Sequence, residues 1–126
     1  MRAVIPRASS QARSGIIAND WSDPKLKRTG RDGKPDYAVY CAEDETVPGT
    51  NSNAYVVSPV HLKVPTLGDR LKAVSPQSRV VSVSGKDRGA VMMGGHKADQ
   101  TWWWDGKGYA TYRDWKGTPP RALAAV

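Results

Sequence analysis

An α/β layered fold is the class this sequence predicts, and three neighbouring segments predict it. "VPTLGDRLKAVSP" (64–76) carries a helix pattern, "SRVVSVS" (78–84) is a valine-rich run, and "KDRGAVMM" (86–93) reads as a second, shorter helix. Helix, buried strand, helix is the order in which an α/β layer is built.

Each element has its own warrant. In the first helix Thr66 is the cap and Asp69, three residues on, completes a variant of the capping box. Leu67, Leu71 and Val74 fall on one face, and Pro76 helps to stop the helix. Val80, Val81 and Val83 suit a strand covered on both faces of a parallel sheet. Ser84 offers a second cap with Asp87 three residues later, and Gly94-Gly95 ends the short helix. "TWWWDGKGYATYRDW" (101–115) reads as an aromatic β-hairpin around a D-G-K-G turn. Upstream, "GIIANDWSD" (15–23) is a short strand that "YAVYCAED" (37–44) can pair with. "PKLKRTGRDGKPD" (24–36) and "ETVPGTNSNAY" (45–55) read as surface loops. Residues 1–14 read as disordered or unrelated, and 118–126 as a tail without a clear element.

Composition narrows the chemistry. The 126 residues carry 19 basic and 12 acidic groups, a net charge of +7, and suit one domain or a piece of a larger one. The excess is uneven: residues 1–35 hold 8 basic and 3 acidic groups, 36–60 hold none and 4, and 61–126 hold 11 and 5. Such a balance suits an anionic partner, although a broad basic surface often serves solubility alone. A single cysteine, Cys41, excludes an intrachain disulfide, and one Cys with two His disfavours a Cys/His zinc site. No apolar run approaches the roughly 20 residues that span a bilayer. The start, "MRAVIPRASSQARSG", lacks an apolar h-region, so the chain as written is expected to stay in the cytoplasm.

Lys86 and Arg88 are the candidate ligand-binding pair. They follow the valine run and enter the next helix, and ligands of open α/β sheets bind at the C-terminal ends of strands. A helix N-terminus adds free N–H groups and partial positive charge, so an anion is favoured there. Lysine contributes a compact charge and arginine a planar fork matched to two phosphate oxygens. Solvated loop charges are the alternative reading of the same pair. It is not a Walker A loop, because Val80 and Asp87 stand where that motif needs Gly and Ser or Thr.

A longer pattern bears on that choice. "VPTLGDRLKAVSPQSRVVSVSGKDRGAVMMGGHKAD", running into "TWWWD", resembles the bacterial alkaline phosphatases of the nucleotide pyrophosphatase/phosphodiesterase-like branch. "GIIANDWSD" and "YCAED" resemble an earlier part of the same family, and the likeness covers roughly residues 14–117 in order and spacing. It implies a partial alkaline-phosphatase-like layered fold over 15–117, with a central sheet flanked by helices. It places Asn19, Lys86 and Arg88 at the positions of the family's phosphate-binding asparagine and Lys-x-Arg pair. The implied partner is phosphate or a phosphate ester, with monoesters favoured because these donors suit a dianionic terminal phosphoryl group.

The resemblance also implies two zinc ions in intact relatives, which activate a Thr or Ser nucleophile. "PRASSQARS" does not match the nucleophile loop, and neither His61 nor His96 matches a metal ligand. This chain is thus expected to ligate neither zinc fully, to be an internal fragment of a periplasmic or exported phosphatase, and to be inactive alone. His96 is expected to cap or pack locally and His61 to lie in a surface loop. Asp20, Asp87 and Asp99 are expected in turn, cap or support roles, with Asp87 orienting its basic neighbours. Cys41 reads as a half-buried strand residue and Glu43-Asp44-Glu45 as a solvated loop. The alternative function is a non-catalytic basic-aromatic module binding single-stranded nucleic acid or carbohydrate. There Trp102 and Trp104 share one strand face and Trp103 takes the other. Rings filling a core or interface are the favoured reading of that run, and nucleic acid is the disfavoured partner. The sequence does not specify an oligomeric state.

Overall fold

The computed structural model describes residues 11–126. The expectation for residues 1–10 therefore lies outside the described residues, while Gln11–Ser14 form a single helical turn, α1. Strand β1 (Asp20–Ser22) pairs antiparallel with β2 (Ala38–Tyr40), Trp21 opposite Val39. A second sheet has the order β3 (Val81–Ser84), β4 (Gln100–Trp104), β5 (Tyr109–Thr111). β3 runs parallel to β4 and β4 antiparallel to β5. Two longer helices accompany this sheet: α2 (Leu67–Val74) precedes β3, and α3 (Asp87–Gly94) forms the crossover from β3 to β4. A last turn, α4, spans Arg121–Ala124. The chain is thus α/β with two small sheets. No helix among the described residues is long and apolar enough to cross a membrane.

The core lies where α3 meets the segment after β2. Cys41, Ala42 and Val91 are buried there, packed by Ile16, Trp21, Tyr40, Val57, Met92 and Tyr112. Cys41 is fully buried rather than half-buried, because it leaves β2 directly beneath α3.

The capping box of α2 forms. The Asp69 N–H donates to Thr66 Oγ1 at 3.2 Å and the Thr66 N–H to Asp69 Oδ2 at 3.0 Å. Asp69 Oδ1 also accepts the Lys97 N–H at 2.8 Å, which ties the start of α2 to the loop after α3. The apolar row does not behave as its spacing suggests: Leu67 is 85% exposed and Val74 82%. The helix approaches its neighbours through Gly68 instead, where an added Cβ would stand 2.7 Å from Val80 Cγ1 and 3.4 Å from the Gly94 carbonyl oxygen. Close contact at a glycine turns the leucine row outward.

β3 departs from expectation for a related reason. It is an edge strand with one covered face: Ser82 is buried while Val81 and Val83 are exposed. Ser82 Oγ donates to the Ala90 carbonyl at 2.7 Å, and a Cβ on Gly94 would lie 3.1 Å from Ser82 Cβ. A small residue on that face lets α3 sit close to the sheet. The cap of α3 is Lys86, in extended conformation and without a side-chain cap bond, not Ser84. Ser84 Oγ instead accepts the Lys86 N–H at 3.3 Å, one residue too early to cap the helix. Gly95, at φ +72°, ends α3 as its left-handed conformation requires.

β4 and β5 are joined by residues 105–108, where Asp105 Oδ1 accepts the N–H groups of Lys107 and Gly108. Trp102 and Trp103 are buried, edge-on to Trp115 and Tyr112, and only Trp104, beside Tyr109, is exposed. Trp102 and Trp104 therefore do not form a shared stacking surface.

Two expected surface segments are anchored inside. Glu43 is 0% exposed and takes both Nη atoms of Arg28, at 2.9 and 3.0 Å, while its Oε1 also accepts the Tyr40 N–H at 2.8 Å. Arg28 also lies 3.5 Å from the buried Asp36. The acidic run is not one solvated unit, because its first carboxylate closes the 24–36 loop onto β2.

Candidate functional site

The C-terminal ends of β3 and β4 lie on the same side of their sheet, since the two strands are parallel. A cleft of about 560 Å³ opens there, and Tyr40, Tyr55, Lys86, Asp87, Arg88 and Trp104 line it. Lys86 stands at the mouth of α3 and Arg88 in its first turn. Tyr40 comes from the end of β2, Tyr55 from the following loop, and Trp104 from the end of β4. This is where a parallel α/β sheet receives ligands.

The structure brings two of the three sequence-derived site residues together. Lys86 and Arg88 share the cleft; Asn19 is exposed just outside its lining. Asn19 precedes β1, its carbonyl accepts the Cys41 N–H at 2.9 Å, and the next residue, Asp20, does line the cleft.

Asp87 sits between the two cations in sequence, yet its carboxylate is directed to tyrosines. Oδ1 accepts the Tyr40 hydroxyl at 2.6 Å and Oδ2 the Tyr55 hydroxyl at 2.7 Å. Oδ1 also accepts the Arg88 N–H at 2.7 Å. The Lys and Arg ion pairs among the described residues join Arg28 to Asp36 and Glu43, and Lys72 to Asp99, while His61 contacts Glu45. Lys86 and Arg88 take part in none of them. Burial, then the bond to Asp87, pushes the Tyr40 phenol up to about 12. The same two causes raise Tyr55, so both rings act as neutral donors. The Tyr40 hydroxyl in turn raises the Arg88 guanidinium, which remains charged. Sequence reasoning missed both tyrosines. No local pattern marks them, because they lie 47 and 32 residues from Asp87.

The chain is 52% identical over 118 residues to alkaline phosphatase PhoK of Sphingomonas sp. This chain is similar to alkaline phosphatases. It is also 47% identical over 124 residues to alkaline phosphatase PhoD of Zymomonas mobilis, and 46% over 104 residues to alkaline phosphatase PhoV of Synechococcus elongatus. These matches take in 93%, 98% and 80% of this chain. The chain spans about a fifth of these alkaline phosphatases: 20%, 20% and 17% of their lengths. No protein-family model matches it.

A two-zinc centre of the kind the alkaline-phosphatase resemblance implies does not fit the donor set present. Among the described residues no three His, Cys, Asp or Glu side chains form a group able to hold a metal ion. His61 Nε2 lies 2.7 Å from Glu45 Oε2 and its ring meets Trp21 edge-on, so it is half-buried rather than a free loop residue. His96 Nε2 is 2.6 Å from the carbonyl oxygen of Leu62, 34 residues earlier, so it reaches across the fold instead of capping or packing locally. Asp99 accepts Lys72 Nζ at 2.8 Å and the Val80 N–H at 2.7 Å, supporting the start of β3. Burial raises the Cys41 thiol, which therefore stays protonated inside the core.

Proposed function

We propose that this chain is the phosphate-recognition portion of an alkaline phosphatase of the nucleotide pyrophosphatase/phosphodiesterase-like branch. Lys86 and Arg88 clamp the oxygens of a phosphate monoester and the Asn19 amide supplies a third donor. The observation that carries this reading is the joint placement of Lys86 and Arg88 in one cleft at the strand ends, without an acidic partner among the described residues. An ammonium and a guanidinium there stabilise the charge of a phosphoryl group during transfer, and they supply no nucleophile. The described side chains fit no two-zinc set, so no metal-dependent step is assigned to them.

Isothermal titration of the chain with inorganic phosphate or vanadate tests the clamp. Lys86→Ala and Arg88→Ala should each weaken binding about tenfold or more, the scale of a hydrogen bond to a charged group, with Asn19→Ala having a smaller effect. Binding indifferent to both cation substitutions would remove the proposal. The isolated chain is further proposed to hydrolyse no phosphate ester. Turnover of an aryl phosphate by the zinc-loaded chain, lost in the same two variants, would contradict that.

A further inference from the structure

The phosphate clamp contains its own competitor. A carboxylate, Asp87, sits one residue from each cation, and an unoccupied Asp87 would pair with Lys86 or Arg88 and repel an incoming dianion. Three donors already meet it: the Tyr40 hydroxyl at 2.6 Å, the Tyr55 hydroxyl at 2.7 Å and the backbone N–H of Arg88 at 2.7 Å. We propose that Tyr40 and Tyr55 are positioning residues: by holding the Asp87 carboxylate they keep Lys86 and Arg88 unpaired and open to a phosphate monoester. This rests on the phosphate-binding reading of the two cations.

The geometry has the features such a device needs. The tyrosines arrive from β2 and from the 45–55 loop, so their hydroxyls reach the Asp87 carboxylate from outside its own helix. The two rings pack at a centroid distance of 5.0 Å, which fixes both hydroxyls relative to each other. Each hydroxyl serves a different carboxylate oxygen, so an ion pair with either cation would have to compete with a bond already made. Hydrogen bonds to an ionised acceptor are short and strong, and these lengths belong to that class.

Two readouts test it on the full chain. In the first, 15N NMR follows the Arg88 Nε–H signal and the Lys86 ammonium without phosphate. Tyr40→Phe/Tyr55→Phe should shift one of them to the position of an ion-paired group, and adding Asp87→Asn should return it. In the second, inorganic phosphate is titrated by calorimetry. The tyrosine pair variant should bind about tenfold more weakly, the scale of one hydrogen bond to a charged group, and Asp87→Asn in that background should recover most of the loss. Single Tyr55→Phe, with folding checked by circular dichroism, gives a milder version if the pair unfolds. Unchanged cation signals in the tyrosine variants, or no recovery with Asp87→Asn, overturn the proposal. Phosphate binding untouched by both Lys86→Ala and Arg88→Ala overturns the functional reading instead, and the NMR readout still decides the tyrosine role.

Discussion

Arg28 and Glu43, 15 residues apart, meet as a bidentate pair beneath the surface, with contacts of 2.9 and 3.0 Å. Side-chain exposure is 7% for Arg28 and 0% for Glu43. The hydrogen bond to Glu43 is the largest influence on Arg28 and raises its pKa, so the guanidinium stays charged. It also carries the Tyr40 N–H, and through that residue it supports the cleft.

Removing one partner should therefore be severe. Glu43→Ala leaves a buried guanidinium and should cost about 3–5 kcal/mol in urea unfolding. Arg28→Met with Glu43→Leu and Asp36→Asn should cost much less, because all three charges leave the interior together. A Glu43→Ala loss under about 1 kcal/mol would mean that water reaches the pair.

A second prediction concerns the start of α2. Burial pushes Asp69 up, but N–H donors from Thr66, Lys97 and His96 outweigh it and hold the carboxyl below its usual range. A depressed carboxylate adds stability that is present above its unfolded pKa of about 3.9 and is lost as the pH falls through the folded value. Asp69→Asn should flatten that acid limb of a pH–melting profile, and Asp69→Ala should cost about 0.5–2 kcal/mol at neutral pH as a lost cap. Gly95→Ala should be worse, because its Cβ would collide with Thr66 Oγ1 and the Asp69 carboxylate at a left-handed φ of +72°.

At the alkaline end the sign reverses. Below pH about 10 both folded and unfolded chains keep the Tyr40 proton. Between there and about 12 the unfolded chain loses it first, so stability declines as pH rises. Thermal melts across that window should show the decline, and Tyr40→Phe should reduce its slope. Phenolate absorbance appearing near pH 10 from every tyrosine at once would contradict the bond to Asp87.

The exposed row of α2 gives a fourth test. Leu67→Lys and Val74→Lys should change stability by no more than about 0.5 kcal/mol. Leu62, 7% exposed, should cost about 2–5 kcal/mol on truncation to alanine. A large loss from Leu67→Lys would show that something packs on this face in solution.

Elements governed by neighbours in sequence were legible. The capping box needs only Thr66 and Asp69, three residues apart, and the end of α3 needs only a glycine at positive φ. The pairing of "NDW" with "YAVY" followed from two short apolar runs and a turn-rich stretch between them. Lys86 and Arg88 could be placed side by side because a strand end and a helix start fix both within three residues.

Side-chain partners and faces were decided by the tertiary structure. Nothing local says that Glu43 rather than Asp44 turns inward, that Asp87 meets tyrosines 47 and 32 residues away, or that Val81 and Val83 lie on an uncovered face. Periodicity states which residues share a face and not whether another layer covers it. The sequence alone therefore determined the order of elements and the location of the cationic pair, because backbone propensity and capping act over a few residues. Which charges are buried, and which stay outside the ion pairs of the described residues, depended on segments distant in the chain, because desolvation and pairing are set by whatever the fold brings alongside.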